Sequence, residues 1–273
     1  LALLVALAPP VSAQLPPADA YAIGAGGDVG AAEVGVPSNP AALAEARGWA
    51  GALLPLHLGL GLGPITGRDL AGAGDGSVSR RTRERWLARV GAEGQRGRLE
   101  GAITPVALRR GTVALQVTSS LVGRTRLPRD AVELLLFGNA GLGGSAADLR
   151  LDGSALDGAL FTTASLAWGT PLTPQLSLGV RGHATVGHGV LVTRDDGSVL
   201  DGGSAGGTLR LPTLSSVGTA PGWGLGFDVG IRWRGGRSTT GVALVNAAST
   251  FRWAASDLRF REGETLLEGE GVE

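Results

Sequence analysis

Residues 223–234 read WGLGFDVGIRWR and alternate between two kinds of side chain. Every second position is apolar, and the positions between them hold glycine, aspartate or arginine. The apolar set is Trp223, Leu225, Phe227, Val229, Ile231 and Trp233. Because successive side chains of a β-strand point to opposite faces, the pattern predicts a strand with one apolar face and one face of glycine and polar residues.

Further segments show the same two-residue period. Residues 175–192 place apolar side chains on one face and polar ones on the other; the apolar side chains are Leu176, Leu178, Val180, Ala184, Val186, Val190 and Val192, and the polar ones are Gln175, Ser177, Arg181, His183 and Thr185. The alternation is weaker in residues 49–62, 98–108, 111–124, 159–169 and 241–253. The sequence therefore predicts an all-β protein with about seven strands.

Short and long connections alternate between these segments. The gaps at residues 109–110, 170–174 and 235–240 have the length of hairpin turns. The gaps at residues 63–97, 125–158 and 193–222 are much longer, and another begins after Trp253. A soluble β-sandwich has no reason to place all its long connections at one end, whereas an outer-membrane barrel has short periplasmic turns and long external loops. The alternation of short and long connections predicts an antiparallel up-and-down transmembrane β-barrel.

The N-terminal residues indicate export. Residues 1–8, LALLVALA, form an apolar run, and Val11-Ser12-Ala13 fits the small-x-small rule for cleavage before Gln14. We interpret residues 1–13 as the remnant of a signal peptide. No other stretch approaches the roughly eighteen apolar residues of a transmembrane helix, and an exported chain without one can span a membrane only as a closed barrel. The predicted location is the outer membrane of a Gram-negative bacterium.

Composition excludes several classes of function. The 24 basic and 24 acidic residues balance, so no nucleic-acid partner is predicted. The absence of cysteine excludes disulfides, thiol catalysis and zinc–thiolate sites. The 47 glycines are typical of barrel strands that curve tightly or need small side chains.

A family resemblance lies just before the first strand. Residues 21–35, YAIGAGGDVGAAEVG, lead into Asn39, Pro40 and Ala41. Asn39 is a good N-cap, Pro40 suits the first helical position, and the alanines that follow favour a short helix. This segment resembles the N-terminal signature of the long-chain fatty-acid transporter (FadL-like) superfamily of outer-membrane barrels. The resemblance implies that residues 14–48 form a plug inside the barrel.

Later stretches resemble the same superfamily. They are residues 127–141, LPRDAVELLLFGNAG, and the paired segments 223–233 and 241–246, with Trp253 after them. Transporters of this superfamily pass hydrophobic molecules through the barrel, and related members serve as secretion-system components. The subgroup nearest to this chain has no established role.

The strand count predicts an incomplete barrel. Seven strands occupy residues 49–254, whereas bacterial single-chain barrels have an even number, and FadL-like barrels close with about twice as many. We interpret residues 255–273 as the start of a truncated external loop.

Two long connections contain predicted helices. Residues 79–90 form a helix after Ser79, whose arginines either meet lipopolysaccharide phosphates or are simply solvated. Residues 128–137 form another, with four consecutive apolar residues that either pack into the barrel mouth or line an entry for apolar ligands. Residues 194–221, rich in Gly, Ser and Asp, are predicted to be a flexible loop.

The candidate site residues are polar residues on the inward-facing positions: Arg181, His183, Asp228 and Arg232. A charge on the lipid face costs about 2–4 kcal/mol at the bilayer centre, so these side chains should face the lumen. They either contact a solute or form an interior network with one another or with the plug. His183 and His188 differ by an odd number and should face opposite sides of a regular strand, so they should not share a metal.

No catalytic constellation is predicted, and the chain is not expected to be an enzyme or to bind a cofactor or metal. Residues 202–206 match G-x-S-x-G, but in a glycine-rich loop rather than between a strand and a helix. Gly24, Gly26 and Val29 fall short of a dinucleotide-binding fingerprint.

The leading hypothesis is a FadL-like channel or binder for hydrophobic small molecules, surrounded by outer-membrane lipid and lipopolysaccharide. The alternative is a non-transporting structural or secretion-associated barrel that binds a partner protein. A secreted soluble β-protein is a third class.

Overall fold

The computed structural model describes residues 36–53, 55–72, 78–138, 141–144, 148–201, 206–236 and 238–267. The predicted signal-peptide remnant, the stretch of glycine and alanine at residues 21–35 and the Gly24–Gly26–Val29 match lie outside the described residues. So does most of the G-x-S-x-G match.

The described residues are mainly β-strands. The strands are β1 (Trp49–Ala52), β2 (Leu56–Gly63), β3 (Gln95–Arg110), β4 (Val113–Leu127), β5 (Leu149–Arg150), β6 (Ala155–Pro171), β7 (Leu176–Arg194), β8 (Val199–Asp201), β9 (Gly206–Arg210), β10 (Thr213–Gly235), β11 (Ser238–Trp253), β12 (Arg259–Arg261) and β13 (Glu264–Leu267). The helices are α1 (Gly67–Ala71), α2 (Arg80–Arg89) and α3 (Arg129–Phe137), with 3-10 helices at Pro40–Glu45 and Ala255–Asp257.

The long strands form one antiparallel sheet in the order β1-β3-β4-β6-β7-β10-β11, with β2 beside β3 and β12 beside β10. The long strands from β3 to β11 pair in sequence order, as in an up-and-down meander. The all-β, antiparallel prediction is therefore confirmed. Within the described residues the sheet is open, because β11 at one edge does not pair with β1 or β2 at the other.

The connections differ in length at the two ends of this sheet. β3–β4, β6–β7 and β10–β11 are joined by turns of a few residues, which define the short-turn end. The connections at the other end, the long-loop end, carry α1 and α2, then α3 and β5, then β8 and β9. A second, four-stranded sheet in the order β13-β9-β8-β5 is built from two of these long connections and from β13, which follows β11.

The prediction that residues 194–221 are a flexible loop is wrong. They contain β8, β9 and the beginning of β10. Leu200 of β8 lies opposite Leu149 of β5, and both side chains are buried. The burial of apolar side chains between these two connections outweighs the local preference of Gly, Ser and Asp for loops. The pairing of β5 with β8 involves two distant segments, so the sequence of residues 194–221 alone does not predict it.

Two predicted strands differ in detail from the structure. Residues 49–62 form β1 and β2 rather than one strand. In β7, Leu160 pairs with Gly189 and Phe161 with Gly187, so His188 is an extra, bulged residue. A bulge shifts the alternation by one residue. Val190 and Val192 therefore do not share a face with Leu176 and Leu178, and their predicted placement is wrong.

The two faces of the large sheet carry different side chains. We call the face that the 3-10 helix Pro40–Glu45 packs against the inner face, and the opposite one the outer face. On the outer face large apolar side chains stay exposed, including Leu225 at 54%, Phe227 at 41% and Ile231 at 49%. The inner face buries polar side chains, among them Arg181 and Asp228.

The helices of the long connections pack on one another. Ser79 accepts a hydrogen bond from Thr82 N and begins α2, as predicted. Trp86 and Leu87 of α2 are buried in a cluster with Val132 of α3. Leu136 and Phe137 pack against this cluster, whereas Leu135 is 72% exposed. Leu136 and Phe137 therefore pack within the long connections, and the two predicted roles of this apolar run, packing into the barrel mouth or lining an entry for apolar ligands, stay predictions.

The arginines of α2 mostly bind groups within the loops. Arg83 donates to Leu136 O and Arg80 to Leu142 O. Arg89 pairs with Asp69 at 2.9 Å. The hydrogen bond from Arg89, with those from Thr66, lowers the pKa of Asp69 to about 2. Within the described residues, no helix has both the length and the apolar character needed to cross a membrane.

Candidate functional site on the inner face

The segment after Asn39 forms a short helix at the short-turn end of the inner face. Asn39 Oδ1 accepts from Ala41 N at 2.9 Å, and Pro40 occupies the first turn, as the sequence predicts. Asn39 Nδ2 donates to Ile231 O at 3.1 Å and Val242 O at 3.4 Å. One side chain therefore starts the helix and ties it to β10 and β11.

This helix packs against a row of glycines. Gly169 of β6 lies opposite Gly179 of β7, and Gly179 lies opposite Gly230 of β10. A Cβ atom at Gly179 would be 2.1 Å from Ala41 N, and one at Gly169 would be 2.6 Å from Ala44 N. The helix can approach the strands this closely only because three neighbouring strands lack side chains at one level. We call these three residues the glycine row.

Ion pairs hold the C-terminal end of the helix on the sheet. Glu45 Oε2 lies 3.4 Å from Arg232 Nη1, and Arg234 Nη2 donates to the same oxygen. Arg232, predicted as a lumen-facing candidate, lies on the inner face, where its acidic partner belongs to the segment predicted to be the plug. This placement corresponds to the predicted alternative of an interior network.

The other three predicted residues form a separate buried cluster. Arg181 and Asp228 lie directly opposite each other on β7 and β10, with side chains 1% and 0% exposed. Arg181 Nε donates to Asp228 Oδ2. His183 Nδ1 lies 3.8 Å from the same oxygen. The structure thus brings Arg181, His183 and Asp228 together, and the glycine row lies between them and Arg232.

Sequence reasoning missed Asn246, which completes this cluster. Its backbone N–H donates to Asp228 Oδ1 at 2.6 Å, and its side-chain Oδ1 is 3.1 Å from His183 Nε2. Asn246 lies in an irregularity of β11, opposite the step from Phe227 to Val229, and has a φ of 53°. Asparagine tolerates this left-handed conformation better than most residues. An Asn within a strand pattern is the only signal that the sequence offered.

An aromatic cluster covers the next part of the inner face. Phe161 of β6 meets Phe251 and Trp253 of β11 at ring-centroid distances of 5.6 and 6.0 Å. Gly187 and Gly222 lie between them on β7 and β10, and a Cβ atom at Gly187 would be 2.6 Å from the Trp253 ring. Strand glycines therefore let rings from two non-adjacent strands meet over the sheet.

The inner face is thus a layered polar and aromatic surface covered at one end by a helix. Arg181 pairs with Asp228 across two strands, and Arg232 and Arg234 pair with Glu45 of the helix. Within the described residues, no group of three or more His, Asp or Glu side chains is placed to hold a metal ion. Comparisons of the chain with protein-family models, with curated proteins and with solved structures find no match.

Proposed function

We propose that this protein is an outer-membrane β-barrel of the FadL-like class that passes or binds hydrophobic small molecules. In this proposal it is exported to the outer membrane of a Gram-negative bacterium and surrounded there by lipid and lipopolysaccharide. The observation that carries the proposal is the exposure of apolar side chains on the outer face together with the burial of charged ones on the inner face. Water-soluble proteins bury the first kind and expose the second.

The distribution of charge supports a lipid-facing outer surface. On the outward positions of the described parts of β3, β4, β6, β7, β10 and β11, the Arg, Asp and Glu residues are Arg110 and Arg252. Both lie near strand ends, and Arg110 stacks on Trp49 at 5.1 Å. An apolar band with charges and aromatic rings only near its edges is expected of a barrel wall in lipid.

The height of the band also fits a bilayer. On β10 the outward apolar run begins at Trp223 and ends at Trp233. Ten residues at about 3.4 Å each and a strand tilt of about 40° give a band of about 26 Å, close to the height of about 25 Å expected between two aromatic girdles. Trp223 and Trp233 would then lie at the two membrane interfaces.

Substituting an outer-face residue tests the membrane assignment. We expect Phe227→Arg to weaken assembly into lipid by about 2–4 kcal/mol, because Phe227 is exposed on the outer face near the middle of the apolar band between Trp223 and Trp233. Leu135→Arg is the matched control, since Leu135 is at least as exposed but lies on α3 in the long connections. Folding into phosphatidylcholine vesicles, followed by urea titration, measures the difference. Equal behaviour of the two variants would contradict a lipid-facing role for Phe227.

Transport requires a second experiment. We expect deletion of the full-length gene to lower the uptake of radiolabelled fatty acids or aromatic hydrocarbons by intact cells, and the restored gene to recover it. Uptake of a small hydrophilic solute serves as the control for general permeability. Unchanged hydrophobe uptake would remove the transport proposal and leave the barrel proposal standing.

One observation favours a second candidate, a structural or secretion-associated barrel that does not transport. The charged and aromatic side chains of the inner face between the helix Pro40–Glu45 and Trp253 bind one another or the helix. This part of the wall needs no solute to satisfy its side chains. Stoichiometric co-purification of a partner protein with the detergent-solubilised chain would favour this candidate over the channel.

A further inference from the structure

A second group of arginines lies on the inner face at the long-loop end, away from the buried cluster. Arg98 of β3 is directly opposite Arg124 of β4, and Arg96 is directly opposite Arg126. Directly opposed residues have Cβ atoms about 4.5–5.5 Å apart, and like charges in this position destabilise a sheet. Two consecutive arginine pairs on one face therefore repel each other unless negative charge lies nearby.

The acidic residues around these arginines supply only part of that charge. Arg96 pairs with Glu93, Arg98 with Glu100, and Arg194 with Asp157 at 2.5 Å. Arg124 and Arg126 are exposed and make no ion pair or side-chain hydrogen bond with any residue that the structure describes. The five arginines exceed the three carboxylates by two positive charges. We call the arginines the arginine patch; they are Arg96, Arg98, Arg124, Arg126 and Arg194.

The arginine patch adjoins open space. A groove of about 460 Å³ is lined by Arg96, Arg98, Arg124 and Arg126, by Asp157, which lies opposite Arg124, and by glycines and Ala155 among other residues. Gly61 and Gly63 of β2 lie opposite Arg98 and Arg96, so no side chain from β2 fills the space beside those arginines. The groove has room for a small anion or for the charged end of a larger ligand.

We propose that the arginine patch binds a phosphate group. A carboxylate is already satisfied by the fork of a single guanidinium, whereas a phosphate carries up to two charges and three oxygens that several guanidinium groups can share. Arg124 and Arg126 lie on the same face of one strand, about 7 Å apart along it. One tetrahedral dianion between their side chains matches both the excess charge and the spacing.

This proposal does not rest on transport of hydrophobic molecules or on membrane insertion, because it depends only on the arginine geometry. Inorganic phosphate, titrated into the full chain in zwitterionic detergent at constant ionic strength, is the first probe. We expect binding by calorimetry, and a loss in affinity of at least about tenfold in the variant Arg124→Gln/Arg126→Gln. Arg81→Gln/Arg85→Gln, a pair of exposed substitutions on α2 with the same charge change, should leave the affinity unchanged.

Thermal unfolding shows whether Arg124→Gln/Arg126→Gln is folded. Because it removes like charges that face each other, its unfolding midpoint without phosphate should equal or exceed that of the unsubstituted chain. Added phosphate should raise the midpoint of the unsubstituted chain and of Arg81→Gln/Arg85→Gln, but not that of Arg124→Gln/Arg126→Gln. Acetate, a monoanion, should bind at least about tenfold more weakly than phosphate; equal, arginine-dependent acetate binding would overturn the phosphate assignment.

Vesicles distinguish the source of the phosphate. Phosphatidylcholine vesicles with and without phosphatidic acid present the same group on a lipid headgroup. Arginine-dependent binding of inorganic phosphate supports a site for the free anion, and arginine-dependent binding seen only with phosphatidic acid supports a site for a lipid headgroup. If neither binding depends on Arg124 and Arg126, the site does not exist.

Discussion

Gly179→Ala is expected to displace the 3-10 helix Pro40–Glu45 from the inner face. The added Cβ atom would lie 2.1 Å from both Ala41 N and Pro40 C, which are backbone atoms that cannot rotate away. Overpacking of this kind typically costs about 1–3 kcal/mol. The helix has only six residues, so leaving the sheet is its simplest relief.

Cysteine labelling measures this displacement directly, because the chain has no cysteine of its own. Leu43 belongs to the helix and is 1% exposed, so a Leu43→Cys background should react slowly with a water-soluble thiol reagent. Adding Gly179→Ala should raise the labelling rate by at least about tenfold, the equilibrium change that corresponds to 1.4 kcal/mol.

Gly182→Ala on the same strand is the matched control. Gly182 is on the outer face, and a Cβ atom there would meet nothing within 4 Å. It should leave the labelling of the Leu43→Cys background unchanged. Equal labelling in the two alanine variants would show that the glycine row does not hold the helix.

The same row shows what the sequence could and could not predict. Alternation in residues 223–234 was enough to predict a strand, because side-chain direction along one strand is a local property. That Gly169, Gly179 and Gly230 lie side by side depends on the register of three strands. Register is set by pairing and bulges, which no single segment contains.

In the buried cluster, too, the local side-chain directions could be predicted from the sequence, whereas the contacts that depend on strand pairing could not. The alternation placed Arg181, His183 and Asp228 on inward positions, and the structure shows all three on the inner face. Their partner Asn246 reaches Asp228 only because β11 is irregular there. The bulge at His188 reverses the faces of Val190 and Val192. It could not be predicted either, because a bulge is defined by the pairing with a neighbouring strand. A helix signal such as Asn39-Pro40 is local, and the sequence predicted that helix.

Asp228→Asn is expected to be among the most destabilising single changes in the sheet. It keeps the size of the side chain but leaves the Arg181 guanidinium, 1% exposed, without its carboxylate. Breaking a buried pair by removing one partner costs about 3–5 kcal/mol, because an uncompensated charge stays buried. Urea unfolding of the detergent-solubilised chain measures this loss.

Asp157→Asn provides the control, because it breaks an equivalent arginine–aspartate pair whose side chains are about half exposed, at 52% for Arg194 and 40% for Asp157. Pairs in solvent are worth about 0–1 kcal/mol, so this variant should lose little. The double variant Arg181→Met/Asp228→Asn should recover much of the loss, since it removes the buried charge itself. Asp228→Asn costing no more than Asp157→Asn would mean that Arg181 finds another partner. A double variant no more stable than Asp228→Asn would mean that the carboxylate acts mainly through the Asn246 backbone, not through the ion pair.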